Sequence, residues 1–245
     1  MLKGKKVIVV MPAYNAEKTL ARTHAEVLAQ EVVDEVVVVD DASTDNTAAV
    51  ARTLPKTTLR VHGENRGYGA NQKTCYRAAL DRGGDVVVMV HADYQYSPAL
   101  IGAMASMVAD GGFACVLGSR VLGGGALSSG MPLWKYAANR GLTLVQNLAT
   151  GARLSEYHTG YRAFSRELLL DLPLSSYSDG FAFDAQMLAH ALWKGYAVGE
   201  VPCPARYHPD ASVIGLGPSI LYGLACLRIC ARFYLARKGL TGFSV

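Results

Sequence analysis

Three runs of uninterrupted apolar residues, each ending abruptly in polar side chains, constrain this chain more than anything else in it. Val7-Ile8-Val9-Val10-Met11 ends in Pro12-Ala13-Tyr14-Asn15, Val36-Val37-Val38-Val39 ends in Asp40-Asp41, and Val86 to Val90 ends in His91-Ala92-Asp93-Tyr94-Gln95-Tyr96. None alternates with polar residues, so none suits a strand with one wet face. Each suits a strand buried on both faces, as in a parallel sheet covered by helices. The intervals read as helices: about Ala16 to Gln30, with Leu20, His24, Val27 and Leu28 near one face; an Ala-rich helix that follows Ala42-Ser43-Thr44-Asp45 and runs to about Leu54; and about Ala70 to Leu80. A short strand, Thr58 to His62, and a loop, Glu64 to Gly69, separate the last two. This alternation is the signature of a doubly wound α/β sheet. In such a sheet the carboxyl ends of the strands share one edge, where ligands bind.

At the end of the third run, His91, Asp93 and Gln95 alternate. If the extended conformation continues, all three point to one side. Ser97 then reads as an N-cap, with Pro98 in the first turn of a helix to about Asp110. Asp93 supplies a hard oxygen ligand, Gln95 a carbonyl oxygen, and His91 a nitrogen that Mn²⁺ tolerates better than Mg²⁺. Two diphosphate oxygens and water would complete the shell. Two acidic strand ends and an arginine-rich second half point to a phosphate-bearing ligand with a divalent cation. The cation would act as a Lewis acid on a departing nucleotide diphosphate. Asp40 or Asp41 can accept hydrogen bonds from a base or a ribose. The chain has no G-x-G-x-x-G after its first strand and no P-loop, which disfavours a dinucleotide-binding Rossmann site and a P-loop NTPase.

Beyond Asp110 the pattern loosens. A short strand, Ala114 to Leu117, leads to Gly118-Ser119-Arg120, then to a Gly- and Ser-rich loop around Gly123-Gly124-Gly125 and Ser128-Ser129-Gly130 that is either a lid or a surface connection. Helices are expected over Leu133 to Thr150 and Arg166 to Asp171, and from Phe181-Ala182-Phe183-Asp184 to a stop before Gly195. Val198 to Ala205 reads as a Pro-punctuated edge strand. No internal repeat or interdomain linker is evident, so a single domain over 1–245 is expected, with 213–245 a C-terminal amphipathic helix. That helix, about Pro218 to Lys238, is very apolar, but Arg228 and Arg232 share one face. Each would cost about 2.5–3.5 kcal/mol at a membrane centre. The expectation is therefore a helix packed on the domain or resting on a membrane surface.

Composition excludes more than it assigns. The net charge of +4, without a basic tract interleaved with aromatics, gives no reason to expect nucleic acid. It is compatible with anionic lipid or phosphorylated substrates. Five cysteines without C-x-x-C argue against a disulfide framework or a zinc site and fit a cytoplasmic setting. Val7 to Met11 is too short for a signal-peptide core.

Six stretches carry a resemblance: Pro12-Ala13-Tyr14-Asn15-Ala16-Glu17, Val39-Asp40-Asp41-Ala42-Ser43-Thr44-Asp45-Asn46-Thr47, Asn65-Arg66-Gly67-Tyr68-Gly69, Ala92-Asp93-Tyr94-Gln95, Gly118-Ser119-Arg120 and Thr159-Gly160-Tyr161-Arg162. In this order, over roughly residues 5 to 207, the chain resembles glycosyltransferase family 2, and within it the dolichol-phosphate mannosyltransferase group. The resemblance implies a GT-A fold, a nucleotide-sugar donor (a UDP- or GDP-hexose), Mg²⁺ or Mn²⁺, and inversion at the anomeric carbon. It implies that Pro12, Tyr14, Glu17, Asp40, Asp41 and Ala92 bind the nucleotide, that Asp93 and Gln95 hold the metal diphosphate, and that Arg120 meets the acceptor's phosphate. Lys135 and Asn139 fall at further acceptor-phosphate positions, where the group has Arg and Ser. Lys keeps the charge but loses the bidentate fork.

The chain also departs from the family pattern. His91 stands where the family's D-x-D has its first carboxylate, Tyr94 and Tyr96 flank Gln95, and the long C-terminal membrane spans of some relatives are missing. The expected reaction is transfer of a hexose to a polyprenyl (dolichol-type) phosphate at the cytoplasmic membrane face. A phosphate acceptor is already a nucleophile and needs no base. A hydroxyl of a glycan or small molecule, the alternative acceptor, would need one. Asp184 is the first candidate for that base and Glu156 the second. A nucleotide-sugar binding protein disabled by His91 is the alternative of another class. His158 and His208 read as hydrogen-bonding loop residues, and Arg206 to Ser212 resembles a segment near the acceptor side in relatives.

Overall fold

The computed structural model describes residues 1–204 and 215–244. His208, the Arg206 to Ser212 segment, the Ala205 end of the expected edge strand and residues 213–214 lie outside the described residues. Seven strands form one sheet: β1 (Val7–Ala13), β2 (Glu35–Asp40), β3 (Thr57–Val61), β4 (Val86–Met89), β5 (Cys115–Ser119), β6 (Arg162–Ser165) and β7 (Val198–Pro202), in the order β3-β2-β1-β4-β6-β5-β7. β6 pairs antiparallel with both β4 and β5, and every other pairing is parallel. The expected mainly parallel sheet flanked by helices is what forms.

The apolar runs divide between two cores as their period of two requires. Val7, Val9, Met11, Val36, Val38, Val86 and Val88 pack on one face, with Leu20 and Val27 of α1 (Leu20–Leu28) and Met104 and Val108 of α4 (Ile101–Ala109). Ile8, Val10, Val37, Val39, Val87 and Met89 pack on the other, with Cys75 and Tyr76 of α3 (Tyr68–Asp81) and Phe183 and Met187 of α7 (Phe183–Trp193). All of these strand residues are fully buried. Burying each aliphatic side chain is worth about 1.5–3 kcal/mol, so a polar residue at any of these positions would cost heavily.

Three expectations need correcting. First, β4 ends at Met89, and Ala92-Asp93 form a turn in which Tyr94 takes a left-handed φ of 57°. The strand does not carry His91, Asp93 and Gln95 to one side by alternation; the turn places them. Second, β6 has no precursor among the expected strands. Its four residues begin with Arg162, whose charge hides the strand pattern. Third, α3 starts at Tyr68 rather than Ala70, which puts the Tyr68 side chain on the helix's first turn.

The last helix, α8 (Leu216–Arg237), buries Cys226, Ile229 and Phe233 against Ala185 and Ala189 of α7, with Leu142 of α5 (Leu133–Thr150) alongside. By length and composition alone the stretch Gly217–Arg237 is long and apolar enough to cross a membrane, and 28% of it is buried in the protein. Its outward face is apolar over the first turns, with Arg228 and Arg237 exposed further along. Ile220, Leu221 and Leu224 are 58–70% exposed, as are Leu144 and Leu148 on the neighbouring α5, at 60% and 70%.

Candidate active site

A cavity of about 590 Å³ opens at the carboxyl ends of β1 and β4 and is closed by α3, α5, α7 and α8. Of the sequence-predicted residues, Pro12, Tyr14, Asp41, His91, Ala92, Asp93, Gln95, Arg120, Lys135, Asn139 and Asp184 line it. Glu17 and Asp40 do not. The Asp40 carboxylate accepts from the Ser43 hydroxyl and, at 3.3 Å, from the Ser43 N–H. Glu17 accepts from the N–H and side-chain amide of Asn46 at 2.9 and 3.1 Å. Both fix the turn that leads into α2 (Thr47–Thr53). Asp41 is 3% exposed and receives the backbone N–H groups of Arg66 and Gly67, both at 2.9 Å, and His62 Nδ1 at 2.6 Å. It pins the Glu64 to Gly67 loop beside the cavity.

Asp93 and Gln95, each 7% exposed, stand at the turn after β4, where the Gln95 N–H donates to Asp93 Oδ1 at 3.1 Å. Among the described residues no group of three or more His, Cys, Asp or Glu side chains is placed to hold a metal ion. Asp93 and Gln95 would supply a partial donor set, one carboxylate and one amide oxygen. That set fits Mg²⁺ or Mn²⁺ brought in with a diphosphate, because such ions take one or two carboxylates and complete their shell with substrate phosphate and water. His91 lines the same cavity and is engaged through one ring nitrogen. Its Nε2 lies 3.3 Å from the Tyr68 hydroxyl, and its ring packs edge-on against Tyr68 and Tyr96.

On another wall the charges are buried and paired. Arg120 donates through Nε (2.9 Å) and Nη2 to Glu156 Oε1, through its N–H (2.7 Å) to Oε2, and through Nη2 to the His158 carbonyl at 2.8 Å. Glu156 is fully buried and also receives Asn139 Nδ2 at 2.8 Å. Burial works to raise the Glu156 carboxyl, but the charge and hydrogen bonds of Arg120 outweigh it and hold it below the usual range. Both Glu156 oxygens are engaged by Arg120, and in this arrangement the carboxylate fixes the arginine. Glu200 accepts from the Ser155 N–H and hydroxyl at 2.8 and 2.6 Å, which secures the segment carrying Glu156. Burial and then the nearby Arg120 charge push the Lys135 ammonium down from its ordinary value.

Arg162, the last residue of the sixth stretch, is wholly buried. It donates to the carbonyls of Thr159 (2.8 Å), Asp184 (3.0 Å) and Tyr157 (2.9 Å). Asp184, in the first turn of α7, is 7% exposed and accepts from the Tyr68 hydroxyl at 2.7 Å. Tyr68 and Tyr222 are cavity residues that sequence reasoning missed. Tyr68 sits inside a quoted motif and opens α3. Tyr222 lies four residues before buried Cys226, a helical spacing that signals a shared face. Tyr222 lies 2.8 Å from His158 Nδ1, and burial lowers the His158 pKa to about 4.

The family model for glycosyl transferase family 2 matches residues 8–172, a span that contains the β1 and β4 ends, Arg120 and the Glu156 to Arg162 segment. The chain belongs to glycosyl transferase family 2. As a member of that family it is an enzyme, a glycosyltransferase, and the binding-protein alternative falls away. A UDP-N-acetylglucosamine–dolichyl-phosphate N-acetylglucosaminyltransferase of Methanococcus voltae is 26% identical over 248 residues, covering 93% of this chain and 98% of the relative. A polyprenol monophosphomannose synthase of Mycolicibacterium smegmatis is 29% identical, covering 81% of this chain and 76% of that one. Among solved structures, glucosyl-3-phosphoglycerate synthase from Mycobacterium tuberculosis, crystallised with Mn²⁺, UDP and glucosyl-3-phosphoglycerate, superposes with a TM-score of 0.67 at 21% identity, over 99% of this chain and 83% of its own. That likeness shows the GT-A fold. Family 2 membership agrees with the resemblance read from the six stretches, including its dolichol-phosphate mannosyltransferase-like group.

Proposed function

We propose that this family 2 enzyme transfers a hexose from a UDP- or GDP-sugar to a polyprenyl phosphate, with inversion. The observation that carries the reading is the pair of cations on the cavity wall. Arg120 is fixed by buried Glu156, and Lys135 is near enough for its ammonium to be destabilised by the Arg120 charge. Glu156 already balances Arg120, so the wall keeps one excess positive charge, that of Lys135, and a phosphate monoester beside the two would meet it. Its oxygen attacks the anomeric carbon without a protein base. Asp93 and Gln95 would hold Mg²⁺ or Mn²⁺ on the donor diphosphate, and the ion would stabilise the charge that develops on the leaving group. Pro12, Tyr14, Ala92 and Asp41 form the nucleoside end, and Asn139 supports the acceptor end through Glu156.

The lipid-phosphate acceptors in the relatives' names support this acceptor class. So does the apolar surface of α5 and α8. The same two helices line the cavity, through Trp134, Lys135 and Leu142 on α5 and Ser219 and Tyr222 on α8. A protein resting on the membrane by this face would receive a lipid acceptor at the cavity's edge, on the cytoplasmic side where nucleotide sugars reside. The chain as a whole would act as one domain, with α8 as its membrane-facing helix.

The test is incubation with labelled UDP-glucose, UDP-N-acetylglucosamine or GDP-mannose, Mn²⁺, and undecaprenyl or dolichyl phosphate. The expected product is a solvent-extractable, acid-labile glycolipid from one donor class. Transfer to a glycan hydroxyl, with none to lipid phosphate, overturns the acceptor assignment.

A further inference from the structure

Among the described residues lining the cavity, Asp184 carries a buried acceptor with nothing to accept from; the other buried unpartnered atom on the lining is His158 Nε2. Asp184 Oδ1 is buried and has no hydrogen-bond partner among the described residues. The rest of Asp184 is held. Its carbonyl receives Arg162 Nη1 at 3.0 Å, and its Oδ2 receives the Tyr68 hydroxyl at 2.7 Å. A phenol has one proton. Because Tyr68 donates it to Asp184, His91 Nε2, at 3.3 Å, meets the phenol oxygen as the donor, which selects the Nε2–H tautomer. Burial first, and then the Asp184 charge, push the Tyr68 phenol well up, so it keeps its proton. The fold makes room for this chain of groups at Gly160. A Cβ there would stand 2.5 Å from His91 Cε1, 2.6 Å from Nε2 and 3.2 Å from the Tyr68 hydroxyl. Phe181 packs on the other side of the Tyr68 ring, with centroids 5.0 Å apart.

An unpartnered buried carboxylate oxygen is costly unless a ligand completes it. A carboxylate only accepts, so it repels both the donor diphosphate and an acceptor phosphate. The nucleoside end is built from the β1 and β2 strand ends, whereas Asp184 is tied through Tyr68 to His91, two residues from Asp93. The ribose would lie with the nucleoside, so the hexose is the hydroxyl-bearing group that the reaction would bring nearest Asp184. We propose that Tyr68 and His91 are positioning residues that fix Asp184 so that its Oδ1 receives a hydroxyl of the transferred hexose, making Asp184 a sugar-reading residue. This rests on the reading that the ligand is a nucleotide sugar.

The test is calorimetry in Mn²⁺, comparing UDP-glucose with UDP and GDP-mannose with GDP. For whichever sugar nucleotide binds, Tyr68→Phe weakens binding about tenfold, the scale of a hydrogen bond to a charged group. The matching nucleoside diphosphate stays within about twofold of wild type. Asp184→Asn and His91→Asn, read beside thermal melting, shift binding in the same direction and leave the Mn²⁺ dependence of diphosphate binding intact. Equal affinity of wild type and Tyr68→Phe for the sugar nucleotide overturns the proposal. So does a parallel loss for the bare diphosphate, or loss of its Mn²⁺ dependence in His91→Asn. In turnover, the proposal expects Asp184→Asn to raise the donor KM. A kcat lower by a factor on the order of 10²–10⁴ at unchanged KM would instead make Asp184 a base for a hydroxyl acceptor. Failure of the transfer reading is seen separately, as absence of glycolipid from every donor.

Discussion

The two halves of the cavity are built by different means. The half proposed to take the donor stands on strands that are apolar throughout, and its polar residues mostly organise turns: Asp40 on Ser43, Glu17 on Asn46, Asp41 on the Arg66-Gly67 backbone. The half proposed to take the acceptor is built around buried charge: Arg120 with Glu156 and Asn139 on the same carboxylate, backed by Arg162 on three carbonyls. The Asp40 carboxylate is buried too, but it accepts from a neutral hydroxyl and N–H, so its loss leaves no uncompensated charge. Breaking a buried ion pair does, because the partner left behind keeps its desolvation cost. The acceptor half should therefore be the fragile one, and the donor half should fail in function before it fails in folding.

The largest contrast is in turnover. Asp93→Ala should lower transfer by about three orders of magnitude, the several kcal/mol a metal-held leaving group is worth, while thermal melting changes little. A normal rate in this variant would remove Asp93 from the metal diphosphate. Next comes Glu156→Gln, which leaves Arg120 buried without its counter-charge. Chemical denaturation should show a loss of about 3–5 kcal/mol, with the acceptor KM raised and the donor KM unchanged. A loss under about 1 kcal/mol would mean that the pair is more hydrated than its burial implies.

A pH series sharpens the comparison further. His158 is held below its ordinary value by burial, with a folded pKa of about 4 against about 6.5 unfolded. The unfolded chain takes up the proton first, so the stability from this residue is full above about pH 6.5 and is lost as pH falls towards 4. Its share is on the order of 2 kcal/mol after discounting for partial exposure, and His158→Asn should flatten that part of the profile. Glu156, held below the usual carboxylate range, adds a loss at lower pH, beginning below about 4.5. The smallest effect is expected on the donor side. Asp40→Asn should cost about 1 kcal/mol and leave donor KM within about twofold, since its carboxylate serves the turn rather than the cavity. A large rise in donor KM would restore Asp40 to the nucleoside site.

Legibility in the sequence divides along the same line. The apolar runs of β1, β2 and β4 announced themselves, because a strand buried on both faces cannot carry a polar side chain at any position. The residues at their ends were then readable as a site. β6 was not readable: Arg162, its first residue, breaks the apolar pattern, and only its three carbonyl partners, two in the segment just before it and one on α7, make it tolerable in the core. The alternation of His91, Asp93 and Gln95 misled for a local reason, because the left-handed Tyr94 ends the extended geometry on which the argument depended.

The sequence by itself determined the doubly wound sheet, the edge at which ligands gather, and the residue types that mark the family. Those follow from period, from polarity and from short contiguous motifs, which are properties of neighbours along the chain. Tertiary structure decided what each polar residue does. It gave Glu156 to Arg120, took Asp40 and Glu17 into turns, turned His91 towards Tyr68, and left one oxygen of Asp184 unpartnered. Each of those roles depends on a group more than twenty residues away or on the shape of a turn. Hydrogen bonds and ion pairs act over a few ångströms of space, and spacing along the chain does not measure that distance.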